Sequence, residues 1–136
     1  MANKQIATFL GPNKGLSVIG SHSYAFSGSI TANTSGIVAL LFESGKGYHV
    51  GSFSFSGMLD ENDPGAGISG TCIIEYNGNV VLTTKGDHDT GNQVSTTTPL
   101  PAIIPPLTTV KVTVYANSTS ATYDATVGWT GRVYDA

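Results

Sequence analysis

The chain has 136 residues and a formal net charge of −3, and only 11% of its residues are charged, against roughly 25% in ordinary soluble domains. That length suits one domain with one core. No Lys/Arg cluster forms a phosphate-neutralising footprint, which argues against nucleic acid as a partner, and no run approaches the ~20 apolar residues of a membrane span. Glycine (17), serine (14) and threonine (17) supply a hydroxyl and amide surface. The abundance of Val, Ile, Thr, Tyr and Phe favours pleated strands. Residues 1–59 carry a balance of +2 and residues 60–136 one of −5, a polarity suited to head-to-tail or layered association.

Residues 1–14, "MANKQIATFLGPNK", have no long apolar run of the kind found in a signal peptide, so synthesis in a cytoplasm is expected. Ile6, Phe9 and Leu10 fall outside any strand period and are expected to form an N-terminal arm that folds against a partner, leaving residues 15–136 as the domain. "LSVIG" reads as a short strand. "HSYAFSGSITA" alternates Tyr24, Phe26, Gly28 and Ile30 against serines, which predicts those four on the buried face. "NTSG" is a turn, and "IVALLFE" reads as a strand covered on both faces. In "YHVGSFSFSGML" the phenylalanines Phe53 and Phe55 oppose Tyr48 and Val50 in parity, which predicts a bulge at Gly51.

The acidic loop "DENDPGAG" precedes "TCIIEYNGNVVLTTK", a hairpin closed by Asn77-Gly78. After a second polar loop, "GDHDTGNQVSTTT", comes "PLPAIIPPL". Proline donates no ladder hydrogen bond, so Pro99, Pro101, Pro105 and Pro106 are expected in a stiff connector outside any central strand. Ala102, Ile103 and Ile104 either close one end of the core or face a partner. The expectation is at least one buried isoleucine, with Pro101 and Leu107 exposed. "TTVKVTVYA" then places Val110, Val112 and Val114 inside and Tyr115 outside, and "TVGWTGRVY" sets Val127, Trp129, Gly131 and Val133 on one face. The sum is an all-β, single-domain β-sandwich or jelly roll of about eight antiparallel strands.

Few residues invite chemistry. Cys72 lies in an apolar run and reads as a core thiol. His22, His49 and His88 match no zinc spacing, and the first two are expected on solvent faces. The acids of "DENDPG" and "GDHD" fit turn chemistry better than a cation site. The sequence contains no Ser-centred elbow and no Walker loop, and the pair Glu43 and Glu75 is a weak basis for glycoside hydrolysis. No catalytic residue, metal ligand or cofactor is therefore assigned. The tyrosines Tyr24, Tyr48, Tyr76, Tyr115, Tyr123 and Tyr134, with Trp129, could stack on sugars if several share a face. The candidate interface residues are Ile6, Phe9, Leu10, Pro101, Leu107 and Tyr115.

Residues 99–136, "PLPAIIPPLTTVKVTV" followed by a turn and "VGWTGRVYDA", together with the compact Gly/Ser/Thr-rich chain, resemble the small all-β virion proteins of tailed bacteriophages. They are similar in style to the capsid decoration or cement proteins. The resemblance implies a non-enzymatic structural protein on the capsid surface that clamps neighbouring coat subunits. It implies the major capsid protein and further copies of the chain, as dimer or trimer, as partners. The alternative is a receptor- or glycan-binding module of a tail or fibre.

Overall fold

Alternating apolar and small polar residues, punctuated by glycine and asparagine turns, fold the described residues into strands joined by turns. The computed structural model describes residues 15–60, 69–87, 94–96, 99–117 and 122–134, without the side chains of 58–60, 87 and 94–96. The described residues form eleven strands: β1 (Ser17–Ile19), β2 (His22–Phe26), β3 (Ile30–Thr31), β4 (Ile37–Glu43), β5 (Tyr48–Asp60), β6 (Ser69–Tyr76), β7 (Asn79–Asp87), β8 (Val94–Thr96), β9 (Leu100–Ile104), β10 (Thr109–Ala116) and β11 (Thr122–Tyr134). Seven form one sheet in the order β1-β2-β11-β5-β8, with β3 also on β11 and β9 also on β5. Four form the other, in the order β4-β10-β6-β7. Every strand pair is antiparallel. The result is a β-sandwich. Its count exceeds the eight expected because "HSYAFSGSITA" breaks into β2 and β3 at Gly28 (φ +67°), and because β8 and β9 add short edge segments.

The spine is the β5–β11 pair, in register from Tyr48↔Tyr134 to Thr122↔Asp60. Phe53, Phe55, Val127 and Trp129 point inward from it and meet Cys72, Ile74, Val110, Val112 and Val114 of the second sheet, all buried as the alternation requires. Phe53 and Trp129 pack with ring centroids 4.7 Å apart. Tyr123 is also fully buried, and two glycines make room for it: a Cβ on Gly57 would come 2.1 Å from its hydroxyl and one on Gly70 2.4 Å from its ring. The Asn77-Gly78 turn is as read, with both residues at positive φ (52° and 85°), the geometry of a type I′ hairpin.

Four readings of strand orientation need correction. In β2 the buried residues are Ser23 and Ala25, while Phe26 is 60% exposed and Tyr24 and Ile30 are half-buried. Gly51 is no bulge: the register of β5 with β11 and β9 runs through it unbroken, so Tyr48 and Val50 lie on the outer face. The glycine instead permits close approach, since a Cβ there would fall 2.0 Å from the Thr130 carbonyl oxygen. β4 is an edge strand with Leu41 and Val38 half-buried. A bulge opposite Val112/Thr113 leaves Ala39 as the extra residue, so that Ala39 and Leu40 are both buried in succession. Last, residues 100–104 are a strand rather than a connector. β9 pairs with β5 alone, from Phe53↔Leu100 to His49↔Ile104, and an edge is where Pro101 is tolerated.

Candidate functional site

The two ends of the proline segment settle its orientation. Ile104 is fully buried and Ile103 is 59% exposed, because successive residues of β9 face opposite sides of the sheet. Pro101 is exposed, and so is Leu107, which turns the chain into β10 at a φ of +54°. A leucine in the left-handed region is strained, and the turn is held by its anchors. Leu107 N–H donates to the Gly45 carbonyl (2.6 Å), Ser44 Oγ–H to the Pro105 carbonyl (2.7 Å) and Thr108 N–H to Ser44 Oγ (3.0 Å).

Ile103 belongs to a wider feature. On the outer face of the seven-stranded sheet, cross-strand pairing lines up Ile19, His22, Arg132, Val50 and Ile103 across five strands. Beside that row run Ser17, Tyr24, Thr130, Ser52 and Pro101. Of nine large apolar residues exposed among the described ones, six lie on this face: Ile19, Phe26, Tyr48, Val50, Ile103 and Tyr134. They fall into two zones. On the β5–β9 side, Val50 and Ile103 adjoin the stacked pair Tyr48 and Tyr134 (5.3 Å). On the β2–β11 side, Tyr24 and Phe26 (5.7 Å) border a shallow groove of about 560 Å³ with His22, Thr130, Gly131 and Arg132.

Beneath this face lies a histidine expected at the surface. His49 is fully buried on the inner side of β5. Its Nε2 is 3.0 Å from the Ser44 carbonyl oxygen, which can only accept, so Nε2 carries the proton. Nδ1 is then the acceptor, and Ser23 Oγ–H donates to it at 3.0 Å. The same Ser23 oxygen accepts the Trp129 Nε1–H at 3.0 Å. This chain of bonds satisfies three buried polar groups and explains the orientation of β2: Ser23 must face inward, so Tyr24 and Phe26 alternate around it. Burial holds the His49 pKa below its usual 6.5, opposed by the bond to the Ser44 carbonyl. Sequence reasoning missed this residue because its partners are brought together only by the fold.

The remaining candidates fare variously. Tyr115 is half-buried, its ring packed over Gly36. Asn33 makes the expected turn, its Oδ1 accepting the Gly36 N–H at 2.7 Å. Of the tyrosines considered for sugar stacking, Tyr24, Tyr48 and Tyr134 share the outer face, whereas Tyr123 and Trp129 are core. Burial pushes the Cys72 thiol up to about 12, which suppresses the thiolate that a nucleophile needs. Glu43 and Glu75 stand on β4 and β6, on opposite sides of β10, opposite Thr109 and Lys111 respectively, so two strand spacings and a two-residue offset put them ~12 Å apart along the backbone. Among the described residues no group of three His, Cys, Asp or Glu is arranged to hold a metal ion. Ile6, Phe9, Leu10, His88 and most of the two acidic loops lie outside the described residues.

The structure thus defines an all-β sandwich with a charge-poor, partly apolar outer face. No family model matches the chain, and no curated protein matches it. Among solved structures, similar strand arrangements occur in chains of infectious bursal disease virus. The T13 viral particle gives a TM-score of 0.49 at 13% identity, covering 91% of this chain and 35% of that one. The Gx strain gives 0.45 at 14%, covering 94% and 38%. The VP2 subviral particle gives 0.43 at 13%, covering 91% and 36%. The chain therefore spans about a third of the length of these relatives in fold, and no site residue is carried over from them.

Proposed function

We propose that this chain is a non-enzymatic structural virion protein that decorates and cements a phage capsid, seated on neighbouring coat subunits by the β5–β9 side of its outer face. The observation that carries the reading is the exposure of Val50 (39%) and Ile103 (59%) beside Pro101 and the Tyr48–Tyr134 stack, with Leu107 (68%) exposed on the turn that follows β9. Exposed apolar side chains gathered on one face mark an interaction surface. Here they sit on paired strands and on a turn stiffened by Pro105 and Pro106, so docking orders little and loses little entropy. Residues 1–14, with Ile6, Phe9 and Leu10, serve as an arm reaching over a neighbouring subunit, and residues 15–136 as the docked domain.

The test is the double variant Ile103→Ser, Leu107→Ser. The isolated protein should keep its melting temperature, since both side chains face water, while binding to phage heads is lost. Undiminished binding would remove the β5–β9 seat. Copy number supplies an independent measure: hundreds per particle by gel densitometry fit cement, and a few dozen or fewer would place the chain in a tail or fibre.

A further inference from the structure

The β2–β11 side of the outer face differs in chemistry from the apolar seat described above: β2 lies three strand spacings, or ~14 Å, from β9, and β11 borders the seat where Arg132 pairs with Val50. Its groove combines an aromatic wall with hydroxyls and one fixed cation. Tyr24 and Phe26 present their rings at an interplanar angle of 32°. Phe26 can lie low because residue 128 is glycine: a Cβ there would come 3.1 Å from the ring and 3.0 Å from Ser54 Oγ. Thr130 pairs with Tyr24 across the strands and places a hydroxyl between the aromatic wall and Arg132.

Arg132 is the decisive residue. Its Nη2 donates to Ser21 Oγ at 3.1 Å, which tethers the guanidinium at the end of the groove. Its cross-strand neighbours are His22 and Val50, so among the described residues no carboxylate faces it from either side and none lines the groove. The acid on the same strand, Asp124, sits eight positions away, ~26 Å along an extended chain, and accepts the Thr31 hydroxyl at 2.8 Å. Arg132 therefore gives the groove a cationic end, with His22 beside it and no acidic partner among the described residues.

We infer that the groove formed by Tyr24, Phe26, Thr130, His22 and Arg132 binds a carboxylated sugar. The apolar face of a pyranose ring stacks on Tyr24 and Phe26, its hydroxyls meet Thr130 and the Tyr24 phenol, and its carboxylate meets the Arg132 fork, which matches a planar carboxylate in two bonds. Such an open site gives weak binding per copy, roughly in the millimolar range, which a multivalent array would amplify. This inference does not depend on the capsid reading, because the seat and the groove use different residues.

Titration of the full chain, followed by NMR, provides the test, with sialyllactose and tri-galacturonate as carboxylated probes and lactose and inorganic phosphate as controls. The expected result is that both carboxylated probes shift resonances of β2 and β11 at millimolar concentration, and that lactose and phosphate do not. Arg132→Gln should weaken binding roughly tenfold or more, as loss of a charge-assisted hydrogen bond requires, and Arg132→Lys should not restore it fully. Phe26→Ala should abolish the response, and Ile103→Ser should leave it unchanged. All four variants should melt as the parent does. Absence of shifts with every carboxylated probe would overturn the inference, as would equal response to lactose. Equal response to phosphate would reduce the groove to an anion site, and shifts that survive Phe26→Ala and Arg132→Gln would place the sugar elsewhere. None of these outcomes touches head binding, which is measured separately.

Discussion

Replacing Ser23 by alanine removes a single hydroxyl and leaves two buried groups without partners. Ser23 is 2% exposed, and both Trp129 and His49 are fully buried. The hydroxyl accepts from the indole N–H and donates to His49 Nδ1, each at 3.0 Å. Without it, a buried donor and a buried acceptor are stranded, at about 1–3 kcal/mol each, so the expected loss is about 2–6 kcal/mol. That is a large part of the 5–15 kcal/mol typical of a domain, and at about 4 °C per kcal/mol for this size it lowers Tm by roughly 8–24 °C. Trp129 is the only tryptophan of the chain, so urea unfolding at pH 8 can be followed by its fluorescence at the site of the perturbation itself. The control is Ser54→Ala, on the exposed face of β5, expected within about 0.5 kcal/mol of the parent. A loss below about 0.5 kcal/mol in Ser23→Ala would refute the bond chain, because it would mean that the two groups find other partners at no cost.

The same histidine sets a pH dependence. Its pKa is depressed in the folded chain, so below 6.5 the unfolded chain takes up a proton that the folded chain refuses. Stability from this group is complete above 6.5 and declines as pH falls below it, towards the folded value. Subtracting the urea midpoints of His49→Gln from those of the parent across pH 5–8 should isolate that slope, and identical slopes would count against it. Ile104→Ser should cost at least about 1.5–3 kcal/mol of lost burial, whereas Ile103→Ser alone should be nearly neutral in the isolated protein; equal costs would mean that β9 is not alternating. Cys72, with its thiol pushed up to about 12, should resist iodoacetamide at pH 8 until urea unfolds the chain, and rapid labelling of the native protein would show the core to be open there.

Much of the fold is legible in local sequence. The alternation in residues 109–116 fixes which valines are core whatever they pack against, because a strand has only two faces and three valines of one parity cannot all face water. Asn77-Gly78 specifies its turn because both residues must take positive φ, which few other pairs do without strain. The prolines exclude a central strand for the same local reason, a missing N–H. The candidate interface residues Pro101 and Leu107 follow from that exclusion, and both are exposed.

Local sequence misleads where distant residues compete for one face. Read alone, residues 22–32 bury Tyr24 and Phe26, since aromatics outweigh serines in any transfer scale. In the sandwich the inner position opposite Gly131 belongs to Ser23, because Trp129 and His49, 106 and 26 residues away, both need its hydroxyl. A buried indole N–H or imidazole nitrogen left unpaired costs more than a half-exposed phenylalanine, so the hydrogen bonds win and Phe26 turns outward. That reversal creates the aromatic wall of the groove. In the same way, the choice between Ile103 and Ile104 was open until β9 paired with β5, since the register His49↔Ile104 alone decides which of two identical side chains meets the core. Composition and period thus determine that the chain is a two-sheet sandwich. Its working surface is decided by long-range pairing, because a strand's two faces are equivalent until a partner makes one of them the inside.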